Sequence, residues 1–257
     1  VEILLQRSPQ GSSHRCPTCG AKPIEVAPGI HEWAESTFEG RDGIEVCDCE
    51  GQVNLFRHYL LAHIPEEYMR LDPEDYYGDP QAWDDTTKYL EHWDDNRVYG
   101  LGLGYYSKTQ GTGKTFLATR VARDLVKRGE SVFYINFRDI MSLYESPYED
   151  RARMEDRLKN STMLVLDEVV QPISSAQHGL FASKFEELVR YRTNYGRVTI
   201  ITSNLEPSEL DDHYERTYSL LAAKQSHIGI VGNDARREGI WDLNTELAEN
   251  GQRRPIT

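Results

Sequence analysis

A short run, Gly111-Thr112-Gly113-Lys114-Thr115, carries the residue types that wrap phosphate. Glycines at 111 and 113 let the backbone aim N–H groups at phosphate oxygens, and a helix starting here adds the positive end of its dipole. In such a cradle Lys114 reaches the β- and γ-phosphates and the Thr115 hydroxyl ligates Mg²⁺, with Thr112 between the two glycines. The full pattern, G-x-x-x-x-G-K-[ST], has another glycine five residues before Gly113, where this chain has Lys108. If the backbone at 108 needs a positive φ, a lysine there costs about 1 kcal/mol of strain and removes no phosphate contact.

Two later segments supply the partners that a nucleoside triphosphate would need. "MLVLDE" (163–168) is an apolar run ending in two acids. Asp167 at its end would hold Mg²⁺ through water, and Glu168 beside it would polarise the attacking water. "VTIITSN" (198–204) ends in Asn204, whose amide could orient that water. Each feature has a plainer reading alone: a chance loop match, a buried strand with a capping acid, a turn asparagine. Together, in this order and each at a strand end, they point to binding and hydrolysis of ATP with Mg²⁺.

All four cysteines fall in the first fifty residues: Cys16 and Cys19 in "CPTCG", Cys47 and Cys49 in "CDC". Two close pairs separated by a loop suit a tetrahedral, structural Zn²⁺ site, because four protein ligands leave no open position. His14, His31 or His58 could replace one cysteine, and disulfides or free thiols are the alternatives. So small a segment has too little core to fold without such a staple.

The elements that must position these residues read as follows. Leu55, Tyr59 and Leu60 recur at helical spacing before Pro65, which is expected to end that helix. Residues 66–96 are acidic and aromatic and read as a linker with one helix near "TTKYLEHW". From Val98 strands and helices alternate: "VYGLGLGYY", a helix with Leu117, Val121, Leu125 and Val126 on one face, "SVFYINF", then the acid-tipped and asparagine-tipped strands. Alternation of this kind implies an α/β fold with a parallel sheet and a site at the strand C-terminal ends.

The 257 residues hold 39% hydrophobic and 28% charged side chains, an ordinary globular balance. No apolar run has the length of a membrane span, and residues 1–15 lack a signal-peptide pattern, so a cytoplasmic protein is expected. The net charge of −13 is uneven: residues 1–100 contain 8 Lys+Arg against 20 Asp+Glu. An acidic front does not grip phosphates by bulk charge. It is a solvated face or a docking surface for a basic patch on a protein.

With "GLGLGYYSKTQGTGKTFLATRVARDLVKRG", "LVLDE", "RYRTNYGRVTIITSNL" and "ERTYSLL…GIVGNDARR" in place, the chain resembles AAA+ ATPases of the DnaC/DnaI/IstB helicase-loader type over about residues 95–240. Its cysteine-bearing front, followed by "HIPEEYMRLDPEDYY", also resembles the zinc-bearing front end of several loaders. The resemblance implies a five-stranded parallel sheet between helices, with the helical lid reduced or absent. It divides the chain into a zinc-binding, partner-docking domain (1–65), a linker (66–96) and the AAA+ domain (97–257).

The resemblance further implies open-spiral oligomers with shared ATP sites, single-stranded DNA in the centre, and a ring-shaped, DnaB-type replicative helicase held by the N-terminal domain. Such loaders carry two arginines four residues apart after the last site strand. Arg216 matches the first; Leu220 stands at the second, where the family has the arginine that reaches a neighbour's γ-phosphate, and Arg216 is the substitute. The second sensor arginine is Arg236 or Arg237. Tyr144, Tyr148, Arg151 and Arg153 in the inserted helical segment could stack on and neutralise single-stranded DNA, or form an exposed amphipathic helix. The expected function is an ATP-dependent helicase loader. A transposition helper ATPase of the IstB kind, acting on duplex DNA and recruiting a transposase, is the alternative, and a zinc-bearing adaptor with an ATP switch is a third reading.

Overall fold

The computed structural model describes residues 15–28, 30–40, 43–143, 148–170, 175–234 and 254–257. Two antiparallel hairpins come first: β1 (Ile24–Ala27) with β2 (Ile30–Glu32), and β3 (Thr37–Gly40) with β4 (Gly43–Val46). Helix α1 (Cys49–Leu61) begins where the Asp48 side chain accepts from the Gly51 N–H. It ends before Pro65: His63 takes φ +59° and its N–H donates to the Leu60 carbonyl, so a left-handed residue terminates the helix first.

Residues 66–99 hold two 3₁₀ turns, Glu66–Tyr68 and Pro73–Asp75, and two helices, α2 (Pro80–Glu91) and α3 (Trp93–Tyr99). Met69, Ala82, Leu90 and Trp93 are buried. Helix α3 therefore claims Val98 and Tyr99, and the first central strand, β5 (Gly102–Tyr106), starts later than the apolar run "VYGLGLGYY" implied.

After β5 come α4 (Lys114–Lys127), β6 (Val132–Asn136), α5 (Phe137–Leu143), α6 (Tyr148–Asn160), β7 (Met163–Val169), α7 (Ser175–Asn194), β8 (Val198–Ser203), α8 (Pro207–Ala222) and β9 (Gln225–Gly229). The five strands form one parallel sheet in the order β6-β7-β8-β5-β9. Every residue of β5 and β8 is buried, as strands covered on both faces must be.

Alternation along the strands feeds two cores. Tyr105, Tyr134, Val165 and Ile200 face a layer made by α1–α4, to which Leu117, Val121 and Leu125 of α4 contribute. Tyr106, Phe133, Leu164 and Ile201 face the layer made by α5–α8. The structure is thus an α/β sandwich of three layers, with the five-stranded parallel sheet in the middle. Among the described residues, no helix is long and apolar enough to cross a membrane.

Candidate nucleotide site and four-cysteine cluster

A cleft of about 610 Å³ opens at the C-terminal ends of the strands. Residues 107–113 link β5 to α4 as a loop, with Gly111 at φ +73° and Gly113 at φ +93°, and Gly113 serves as N-cap of α4. A Cβ at Gly113 would lie 2.7 Å from the Tyr76 ring, so that position excludes a side chain for two reasons. Lys114 is 8% exposed; its ammonium donates to the Thr109 carbonyl at 3.0 Å, the Ser107 carbonyl at 3.3 Å and the Thr112 hydroxyl at 3.4 Å. The cation therefore sits inside the loop's curve, and residues 110–115 of the loop line the cleft.

Lys108 carries no positive φ and hence none of the strain that a positive φ would bring there. It is exposed and pairs with Glu206 at 3.3 Å. Strain lies instead at Glu168, a non-glycine residue at φ +58°. The pairing of β7 with β8 slips between Leu166 and Val169, and this bulge presents both acids to the cleft.

Thr202 stitches the bulge. Its hydroxyl donates to Asp167 Oδ1 at 2.6 Å and accepts from the Glu168 N–H at 2.9 Å. Asp167 also accepts from the Thr115 hydroxyl at 3.0 Å and from the Tyr134 hydroxyl, on Oδ2, at 2.5 Å. Burial pushes the Asp167 carboxyl up from its ordinary range, and the hydrogen bonds from Thr202, Tyr134 and Thr115 oppose that rise. Glu168 is exposed, and its Oε2 accepts from the Asn136 amide at 3.1 Å. Asn204 lines the cleft with a buried Oδ1 that has no partner.

These donors fit a magnesium–nucleotide: a carboxylate and a hydroxyl 3.0 Å apart, a cationic loop, and an amide oxygen awaiting a hydrogen. Sequence reasoning passed over Tyr134, Asn136 and Thr202. Tyr134 is buried among core residues, yet its hydroxyl reaches the acid. For Asn136 and Thr202 the signal was available in principle, since both lie at the C-terminal ends of their strands, whereas Tyr134 sits mid-strand and offers none.

One wall comes from an unexpected place: His63, Pro65, Glu67 and Tyr68, just beyond α1, line the same cleft. Burial, and secondarily Arg157, lowers His63 to a pKa of about 4, leaving it neutral at neutral pH.

Arg216 is exposed on α8 and does not line the cleft, while Leu220 packs against the second core. Arg151 and Arg153 lie on α6, with Arg151 3.9 Å from Glu155. Tyr144, Arg236 and Arg237 lie outside the described residues, as does the side chain of Tyr148.

The four cysteines form a second centre. Their sulfurs all lie within 4.8 Å of one another, with Cys16–Cys47 at 3.6 Å and Cys19–Cys49 at 3.4 Å. A disulfide needs about 2.05 Å, whereas a tetrahedral zinc with ~2.3 Å bonds spaces its sulfurs at about 3.8 Å. His31 and His58 are outside the cluster. Burial opposes ionisation of Cys19, yet hydrogen bonds from Ser36, Ala21 and the neighbouring thiols bring it down to about 7; burial first, and then its neighbours, hold Cys47 up. The set fits a thiolate-bound Zn²⁺, whose binding would release the thiol protons.

Comparison with known proteins agrees with this geometry. Residues 107–223 match the family described as IstB-like ATP binding protein. The replicative helicase loader DnaC of Escherichia coli (strain K12) is 27% identical over 137 residues, which is 52% of this chain and 53% of that protein. The DnaC of Buchnera aphidicola subsp. Baizongia pistaciae (strain Bp) is 25% identical over 148 residues, 56% and 59% of the two chains. The chain thus spans between half and three fifths of the length of these relatives.

Among solved structures, DnaI superimposes with a TM-score of 0.56 at 21% identity, covering 65% of this chain and 95% of that one. The DnaC helicase loader gives 0.55 at 19% identity, covering 65% and 100%. Residues 107–223 thus look like an IstB-like ATP-binding protein, the fold around them is shared with DnaI and DnaC, and the relatives it resembles in sequence are named replicative helicase loaders.

Proposed function

We propose that this protein is an ATP-hydrolysing loader that places a ring-shaped, DnaB-type replicative helicase on single-stranded DNA, gripping the helicase through its cysteine-bearing front segment. The observation that carries the ATPase reading is the Thr202-stitched bulge, which sets Asp167 and Glu168 opposite the Lys114 loop. Similarity to proteins named replicative helicase loaders, together with the acidic front, supports the rest.

The residues divide the work. Backbone N–H groups at 111–115 and the Lys114 ammonium take the terminal phosphates. Thr115 and Asp167 would hold a Mg²⁺ ion, which would supply charge neutralisation for the phosphates. Glu168 accepts the proton of the attacking water once its carboxylate leaves the Asn136 amide, and Asn204 Oδ1 accepts that water's other hydrogen. Arg216 is exposed and away from its own cleft, which suits an arginine acting across a subunit boundary in an oligomer. The four-cysteine cluster holds structural Zn²⁺ in the domain that docks the helicase. A competing reading is a transposition helper of the IstB kind acting on duplex DNA, and the matched family is described as IstB-like.

Turnover of Mg-ATP should rise steeply with protein concentration. Lys114→Ala should weaken nucleotide binding on the order of a hundredfold, as for loss of a charge-assisted contact worth about 3 kcal/mol. The loader reading expects co-elution with a purified hexameric DnaB-type helicase and ATP-dependent affinity for single-stranded DNA. Filaments on duplex DNA with no helicase capture would overturn it in favour of the transposition reading, and concentration-independent turnover would remove the shared site.

A further inference from the structure

The last four residues of the sequence, Arg254-Pro255-Ile256-Thr257, lie in a groove between α1, the segment 69–75 and α4. They are held there as a bound peptide is held. One side chain captures both main-chain polar atoms of Ile256: Gln52 Oε1 accepts from its N–H at 2.6 Å, and Gln52 Nε2 donates to its carbonyl at 3.2 Å. The Thr257 N–H donates to the Met69 carbonyl at 3.0 Å, and the Tyr59 hydroxyl donates to the Thr257 carbonyl oxygen at 2.7 Å.

Three side-chain subsites add selectivity. Ile256 is 3% exposed and enters the core beneath α1. Arg254 pairs with both oxygens of Asp75, at 2.8 and 2.9 Å. The Thr257 hydroxyl donates to the Leu71 carbonyl at 3.0 Å and accepts from buried Arg123 at 2.8 Å. Main-chain capture combined with side-chain pockets is how extended peptides are recognised generally. The segment gives the Tyr59 hydroxyl its acceptor and adds the Thr257 hydroxyl to the Leu71 carbonyl that Arg123 already holds.

We propose that this groove is a peptide-binding site selective for an Arg-x-Ile-Thr segment, and that residues 254–257 occupy it in cis as a latch on the cysteine module. The latch follows from shared side chains. The Gln52 oxygen that receives Ile256 also accepts from Thr18 at 2.6 Å, and Arg70, which donates to the Arg254 carbonyl, also donates to the Pro17 carbonyl at 2.8 Å. Pro17 and Thr18 lie between Cys16 and Cys19, so release of the tail loosens the cysteine loop's hold on the core. The inference does not depend on the ATPase reading.

The test uses a labelled peptide of residues 250–257 and fluorescence anisotropy. A chain ending at residue 253 should bind it saturably, the full chain at least a hundredfold more weakly, and the shortened chain with Asp75→Ala at least tenfold more weakly than the shortened parent. A shortened chain with native near-ultraviolet circular dichroism but no saturable binding overturns the proposal, as does equal binding by the full chain. Should the shortened chain not fold, full-length Arg254→Asp replaces it. That variant should admit the peptide, and adding Asp75→Arg, which restores the pair in cis, should exclude it again. Failure of either step overturns the proposal.

Discussion

The cysteine module and the nucleotide cleft solve opposite problems. Around the cysteines the strands are largely exposed, with Ile44 80% and Val46 66% open to solvent, and the interior is little more than sulfur with Trp33 and Phe38 against it. Around the cleft, β5, β7 and β8 are buried on both faces between two apolar cores. The first region has too little apolar surface to hide to hold four thiols together unaided. The second has enough to keep Glu168 at φ +58°, Asp167 in a setting that resists its charge, and an Asn204 oxygen without a partner. Where the core is small, a metal on the four cysteines would hold the fold; where it is large, the fold holds a strained site by its own packing.

The sharpest way to break that contrast is to strip the metal. One zinc per chain is expected, and its removal takes away on the order of 10 kcal/mol of binding free energy. Hydrogen exchange should then show loss of protection across 15–48 while the amides of β5–β9 keep theirs. Retained protection across 15–48 in metal-free protein would show that the module folds by its own packing.

Next in size are two substitutions at one residue. Glu168→Gln should retain nucleotide affinity and lose turnover by about 10²-fold or more, as for removal of a general base. Glu168→Gly should lose turnover equally but gain about 1 kcal/mol of stability, because glycine takes the positive φ without a Cβ penalty. Equal thermal midpoints for the two variants would mean that the cleft stores no strain at Glu168.

The smallest effect concerns Asp167. Burial raises its pKa in the folded protein, so magnesium-dependent nucleotide binding, which needs the carboxylate, should fall away as pH drops through that raised value. Tyr134→Phe removes one of the donors that oppose the rise. The loss should therefore set in at a higher pH than in the parent. An unmoved pH profile, read by fluorescent-nucleotide titration, would assign the Tyr134 hydroxyl to packing alone.

What the sequence determined by itself is what is local in the chain. The glycines and lysine of the 111–115 loop work through adjacent residues, the two acids end a strand by continuity of an apolar run, and the paired cysteines announce themselves by spacing. Non-local partnerships were invisible. Asn136 pairs in register with Asp167 and reaches Glu168 only because β6 lies beside β7 in the sheet. Thr202 holds the bulge only because the register of β7 on β8 slips there. The loop pattern raised strain at Lys108 only if the backbone there needed a positive φ; the structure has the positive φ at Glu168 instead, because it follows from how two strands meet and not from the residue a motif expects. Likewise, Gln52 and Ile256 stand 204 positions apart, and no periodicity could have joined them. Local chemistry is written in spacing, but which distant side chains share a hydrogen bond depends on strand order and register, and those are settled only when the whole sheet buries its two faces.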